Sequence, residues 1–217
     1  MKIFAVGMNY ASHNEEMKRM DFHVEEPVIF TKADSALLNQ GKPFFVPDWT
    51  ERVDYEAELV VRICRLGKSI PERFAYRYYD AVTVGIDFTA RDMQQQAKSK
   101  GLPWAICKGF DGSAVIGEWV AIRGDRREEK PEMNGNMVDM ENLHFHLDLN
   151  EQTVQRGCSA DMIYSVDRLI SYISRFFTLR TGDLLYTGTP AGVGPVKIGD
   201  HLQGYLEGRK VLDFYCR

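Results

Sequence analysis

The segment Val53-Asp54-Tyr55-Glu56-Ala57-Glu58-Leu59-Val60-Val61 places two carboxylates inside a run otherwise suited to a buried β-strand. Alternate residues of a strand share a face, so Tyr55, Ala57, Leu59 and Val61 point one way and Glu56 and Glu58 the other, roughly 6 to 7 Å apart along the backbone. Like charges this close on a half-buried strand repel each other and lose hydration, and the arrangement is unfavourable unless a cation compensates. A second β-like run, Ala81-Val82-Thr83-Val84-Gly85-Ile86, ends at a third carboxylate, Asp87. All-oxygen ligation with no Cys or His nearby suits Mg²⁺, Mn²⁺ or Ca²⁺ better than Zn²⁺, and three monodentate acids leave octahedral positions open for chemistry. Taken alone, Glu-x-Glu also fits a solvated outer strand face.

The rest of the chain is compatible with one domain spanning 1–217. Its 217 residues, 44% of them hydrophobic, suffice for one sizeable core. A net charge of -4 with scattered Lys and Arg gives no basic footprint for nucleic acid. Ile3-Phe4-Ala5-Val6 is too short for a signal-peptide core, and no stretch approaches a membrane span, so a cytoplasmic protein is expected. Cys64, Cys107, Cys158 and Cys216 show neither CxxC pairing nor zinc spacing and are expected to stay reduced.

Many short β-like runs separated by Gly, Pro, Asp and Asn predict a mainly β fold with a few helices. Leu143, Phe145, Leu147 and Leu149 alternate with His144, His146 and Asp148, which reads as a half-buried strand with its polar face outward. The charge-dense stretch Arg123 to Asn142 reads as a surface excursion. Val166 to Phe177 has helical apolar spacing, with Ser165 as N-cap. A second helix is expected to open at Thr89, where Thr89-Ala90-Arg91-Asp92 has capping-box spacing, and this places Gln94 about a turn beyond the acids.

Three further features carry chemistry. His13 and Glu16, at helical i, i+3 spacing between Tyr10 and Met20, could pair as an imidazole and its orienting carboxylate, or simply form a solvated helix face. Lys108 follows an apolar stretch and precedes Gly109-Phe110-Asp111, where a cation could hold charge on an enolate or carboxylate. The loop Thr187-Gly188-Thr189-Pro190-Ala191-Gly192-Val193-Gly194 lacks the features of a nucleotide site, but its glycines let backbone N–H groups approach an anion.

Taken in order, Gly7-Met8-Asn9-Tyr10, His13 and Glu16, Glu26-Pro27-Val28-Ile29-Phe30-Thr31-Lys32, Asp54 to Leu59, Asp87 to Gln94, Gly101-Leu102-Pro103-Trp104, Lys108 to Asp111 and Thr187 to Gly194 resemble the fumarylacetoacetate hydrolase family. The closest branch is that of the acylpyruvate hydrolases and oxaloacetate decarboxylases. The resemblance implies a mixed β-sandwich roll of the family's C-terminal-domain type, with 1–25 as a mobile lid segment, and a homodimer. It implies Glu56, Glu58 and Asp87 as ligands of Mg²⁺ or Mn²⁺, and His13 with Glu16 as the base. It also implies that Lys108 lies against the substrate, and that Gln94, Gly188 and Thr189 bind it.

The expected activity is Mg- or Mn-dependent cleavage of a carbon–carbon bond in 3-acylpyruvate-type 2-oxo acids through a metal-chelated pyruvate enolate. The same intermediate would serve an oxaloacetate decarboxylase, a keto-enol tautomerase or a 2-hydroxyhepta-2,4-diene-1,7-dioate isomerase. A non-catalytic 2-oxo acid binding protein would have no use for His13, Glu16 and Lys108 together. The residue after Gly7 is Met8, where the closest branch often carries an arginine, and this favours an apolar acyl tail over a second carboxylate.

Overall fold

The computed structural model describes residues 1–16, 25–122 and 137–217. Its strands are β1 (Ile3–Gly7), β2 (Val28–Lys32), β3 (Leu37–Leu38), β4 (Val53–Tyr55), β5 (Ala57–Ile63), β6 (Tyr79–Asp87), β7 (Thr89–Ala90) and β8 (Ala114–Ile116). They continue with β9 (Val120–Ile122), β10 (Met137–Val138), β11 (His144–Leu149), β12 (Gln152–Cys158), β13 (Leu184–Tyr186), β14 (Gly194–Pro195), β15 (His201–Leu206) and β16 (Arg209–Tyr215). The helices are α1 (Ala11–Glu16), α2 (Arg91–Lys100), α3 (Ala105–Gly109) and α4 (Val166–Phe176).

Nine strands form a mixed sheet along the path β10-β9-β6-β5-β13-β1-β2, with β8 on β6 and β3 on β8. A four-stranded sheet runs β12-β11-β15-β16, and a small one runs β14-β4-β7. The large sheet is apolar on both faces. Phe4, Leu59, Val61, Val84 and Leu185 belong to the main core, while their neighbours Ile3, Ala5, Val60, Leu184 and Tyr186 form a second cluster. Because side chains alternate, Glu58 shares the face of Val60, and Asp87 lies opposite the face of Ile86. The carboxylates therefore belong to the face of the smaller cluster. Glycine is needed at position 85, directly across from Glu58: a Cβ there would lie 2.6 Å from the Val115 carbonyl.

Several sequence expectations meet their structural counterparts here. Ser165 caps α4 by accepting from Arg168 N at 3.2 Å, as its spacing implies. Phe145 and Leu147 are buried on β11 while His144 is exposed. The capping box at Thr89 does not form. Thr89–Ala90 pairs instead with Val53–Asp54, Arg91 N donates to Arg52 O, and Asp92 accepts from Thr50 and from Glu51 N, so the helix starts two residues later. Tertiary pairing of this turn outcompetes the local cap.

Of the expected lid segment, Ile3–Val6 is a buried strand and 17–24 lie outside the described residues. Of the expected surface excursion, 123–136 lie outside the described residues, and Met137–Val138 extends the large sheet by pairing with β9. Among the described residues no helix is long and apolar enough to cross a membrane. The four cysteines are free, and burial pushes the Cys107 thiol up, as befits a packing residue.

Candidate metal centre

The hairpin of β5 and β6 brings the three acids together. Ala57 pairs with Ile86 and Glu58 with Gly85, so Asp87 lies across from Glu56, and Asp87 N donates to Glu56 O at 2.8 Å. The strand is interrupted at Glu56 because Ala57 N turns to the Gln155 side chain of β12, at 2.9 Å. Glu56, Glu58 and Asp87 are each at least 94% buried, with one carboxylate oxygen apiece within 4.8 Å of the others. Such burial excludes the outer-face reading of Glu-x-Glu.

Three buried cations surround the acids. Lys108, on α3, spans two of them: Nζ is 2.7 Å from Glu56 Oε2 and 2.8 Å from Asp87 Oδ2. Lys32, at the end of β2, places Nζ 2.5 Å from Asp87 Oδ1, donates to Lys108 O and binds Ser113 O at 3.0 Å. Arg91 binds Glu56 Oε1 at 2.6 Å and Asp54 Oδ2 at 2.7 Å. Glu58 is held differently, accepting from Gly188 N at 2.7 Å.

The titrations follow from these contacts. Burial alone would raise the Glu56 carboxyl, but Lys108 and Arg91 hold it below the usual carboxylate range. Burial beside Asp87 and Glu56 pushes the Glu58 carboxyl well above that range. Burial lowers the Lys32 ammonium against the pull of Asp87, whereas in Lys108 the attraction of Asp87 and Glu56 overcomes burial and raises it.

The donor set fits a hard divalent cation. It consists of three carboxylates and no sulfur or imidazole, and the local cations do not fully compensate the acids on the Glu58 side. About 380 Å³ of space outside protein atoms, part of it open to solvent, lies in the cleft over the acids. Among the described residues no other group of three His, Cys, Asp or Glu lies close enough to share an ion.

Of the remaining expected residues, His13, Gln94 and Thr189 line this cleft, whereas Glu16 and Gly188 do not form part of its wall. His13 is buried on α1, with Nδ1 3.6 Å from Glu16 Oε2, while the Glu16 carboxylate accepts from Gly192 N at 3.1 and 3.2 Å. Gly192 adopts φ +100°, and a Cβ there would meet Val154 O at 2.2 Å. Gln94 is buried on α2, with its Oε1 held by Arg91 Nη1 at 2.8 Å and Lys98 Nζ at 3.1 Å, so Nε2 is the donating end. Thr189 donates to Ala57 O at 2.8 Å and accepts from Gln155 Nε2 at 2.9 Å. Met8 lines the cleft at φ +63°.

Sequence reasoning assigned no role to Lys32, Arg91, Asn9 or Gln155. Asn9 joins the loop before α1 to the site by donating to Thr187 O at 2.8 Å and Tyr164 O at 3.0 Å. Lys32, Arg91 and Asn9 lie in the quoted motifs, where a buried cation or amide among apolar neighbours is the available signal. Gln155 has no such local signal.

The model of the fumarylacetoacetate hydrolase C-terminal domain matches residues 2–213. The chain belongs to this family. A curated member, the mitochondrial oxaloacetate tautomerase FAHD1 of Mus musculus, is 36% identical over 206 residues, covering 95% of this chain and 87% of that protein. The fumarylpyruvate hydrolase of Pseudomonas aeruginosa, solved with Mn²⁺ and pyruvate, superposes with a TM-score of 0.84 at 33% identity, covering 100% of this chain and 89% of that one. The 2-hydroxyhepta-2,4-diene-1,7-dioate isomerase of Mycobacterium marinum gives 0.80 at 31% identity, covering 99% and 73%. The mainly β architecture is thus that of the fumarylacetoacetate hydrolase family, whose named members here include a tautomerase, a hydrolase and an isomerase.

Proposed function

We propose that this chain is a divalent-metal-dependent enzyme that hydrolyses the carbon–carbon bond of 3-acylpyruvate-type 2-oxo acids. The observation that carries the reading is the buried Glu56, Glu58 and Asp87 cluster with His13 in the wall of the same cleft. These acids would hold Mg²⁺ or Mn²⁺, which when bound supplies Lewis acidity to a 2-oxo acid. The Mn²⁺ and pyruvate in the Pseudomonas hydrolase support that choice.

The chain's own residues then have definite tasks. His13 takes a proton from water, and Glu16 steadies the imidazole once its carboxylate turns from Gly192. Hydroxide adds to the distal acyl carbonyl, the carbon–carbon bond breaks, and the bonding pair leaves with the pyruvate portion. Lys108 offers positive charge to the enolate oxygen from its place between Glu56 and Asp87. The Gln94 amide donates to the bound substrate. The Thr189 hydroxyl proton is committed to Ala57, so Thr189 shapes the Gly188 loop that faces the substrate carboxylate.

Keto-enol tautomerisation is the second reading, favoured by the name of the mouse relative. It needs proton transfer but no attacking water. The test is turnover of acetylpyruvate, a longer acylpyruvate and oxaloacetate after chelator treatment, with and without Mg²⁺ or Mn²⁺, in wild type and His13→Ala. Metal-dependent acylpyruvate cleavage that falls about 10²- to 10⁴-fold in His13→Ala is expected, the range for a lost general base. Unchanged cleavage in His13→Ala refutes the assigned base, and conversion of oxaloacetate alone moves the reading to tautomerase or decarboxylase.

A further inference from the structure

Lys and Arg are scattered along the sequence, but the fold gathers four of them around exposed apolar side chains. Gly67 and Leu179 form an antiparallel bridge, which sets Leu66 across from Arg180 and Lys68 across from Thr178. Lys68 Nζ donates to Arg175 O at 3.1 Å, at the C-terminal end of α4. The Arg175 guanidinium stands 5.5 Å from the centroid of the Phe176 ring, and that of Arg65 5.9 Å from the centroid of Tyr78. Arg65, Lys68, Arg175 and Arg180 are all solvent-exposed, and so are Leu66 at 67%, Phe176 at 56% and Phe177 at 41%. Other cations nearby are neutralised, Lys2 by Asp183 at 2.6 Å, Arg62 by Asp80 at 3.0 Å and Arg168 by Glu72 at 3.7 Å. Among the described residues, Arg65, Lys68, Arg175 and Arg180 have no carboxylate within 4.0 Å.

An apolar patch ringed by uncompensated cations fits an anionic lipid surface, which takes up both kinds of side chain at once. Rings and aliphatic groups enter the headgroup boundary while ammonium and guanidinium groups meet lipid phosphates. Nucleic acid or an extended acidic chain would engage the cations and leave Leu66 in water. A two-fold contact with a second copy would set the four cations against the same four. The location suits docking as well. β1 and β13 run in parallel and β5 runs against β13, so Ile3, Leu184 and Arg62 share one end of the sheet, and Ala5, Tyr186 and Val60 lead to the acids at the other. The patch lies beyond the first end, roughly 20 Å from Glu58 along β5, so a membrane bound there leaves the cleft open. We propose that Leu66, Phe176 and Phe177, with Arg65, Lys68, Arg175 and Arg180, form a docking surface for an anionic membrane, independent of the reaction assigned to the cleft.

Flotation of the full chain with lipid vesicles tests this. Retention by phosphatidylcholine vesicles containing about one-third phosphatidylserine, no retention by pure phosphatidylcholine, and release at about 0.5 M NaCl are expected. Lys68→Gln with Arg180→Gln should lower the partition coefficient about thirtyfold, the combined scale of two cations near a charged surface. Leu66→Ser with Phe176→Ser should lower it at least about tenfold while the salt dependence persists. All four positions are exposed, so both double variants should melt within about 4 °C of wild type. No retention of wild type, or equal retention by neutral vesicles, overturns the proposal. Binding of polyglutamate or oligothymidylate that matches vesicle binding and ignores the Leu66 and Phe176 substitutions would make the face a polyanion site. A change of oligomeric state by light scattering in Leu66→Ser with Phe176→Ser would make it a contact between copies. Either of these two results refutes membrane docking.

Discussion

Glu56 and Glu58 sit two residues apart in one cleft, yet the protein holds them so differently that the same substitution should have unequal effects. In Glu58→Gln the amide oxygen can still accept the 2.7 Å bond from Gly188 N. The loss is the difference between a charged and a neutral acceptor, about 1 kcal/mol, reduced further by relief of crowding among the acids. In Glu56→Gln, Arg91 and Lys108 lose a buried counter-charge at 2.6 and 2.7 Å. Breaking a buried pair costs about 3–5 kcal/mol, and the lower figure applies because Lys108 keeps Asp87 and Arg91 keeps Asp54. At about 2–4 °C per kcal/mol for a chain of this size, metal-free Glu56→Gln should melt about 6–12 °C below wild type and Glu58→Gln no more than about 4 °C below. Mn²⁺ at a hundred times its Kd adds about 2.7 kcal/mol to wild type, or about 5–11 °C, and both variants should lose most of that gain. Thermal melts with chelator and with Mn²⁺ measure all of these quantities. Equal melting of the two chelated variants would refute the charge assignment, and a full Mn²⁺ gain in Glu58→Gln would refute its role as a ligand.

Two other perturbations probe the supports of the site. Gln155→Leu leaves the buried Ala57 N–H without its acceptor and should cost about 1–3 kcal/mol in urea unfolding; a midpoint equal to wild type would show that the interruption at Glu56 has another cause. Asp213 is bonded by His201 and Lys210, which hold its carboxyl down to about 2, below the ordinary 3.8. Its folded value is depressed, so its stabilisation is fully present above about pH 4 and lost as pH falls toward 2. The stability gap between wild type and Asp213→Asn, a few tenths of a kcal/mol at this exposed site, should close over that window; a gap constant with pH would exclude the titration.

What could be read from the sequence was what one element decides. The parity of Glu56 and Glu58, the alternation of Leu143 to Leu149 and the Ser165 cap depend on neighbours within a few residues, and the structure has the same geometry. The capping box at Thr89 used equally local reasoning but lost to a strand from positions 53 and 54. The partners of the acids were not legible. Lys32 meets Asp87, Arg91 meets Glu56 and Gln155 meets Ala57 across long stretches of chain, and no periodicity encodes which cation arrives beside which carboxylate.

The order of strands in the large sheet also bears on how the site is assembled during synthesis. β5 and β6 are a hairpin, so Glu56, Glu58 and Asp87 can gather while the chain is still short. The His13 helix follows β1, which pairs in parallel with β13, and the loop that holds Glu16 and Glu58 begins where β13 ends. Parallel pairing between the first and nearly the last parts of a chain closes a very long loop. The acids can therefore gather while His13, although synthesised earlier, is still undocked, and the two can face each other only after the stretch through Gly192 has left the ribosome.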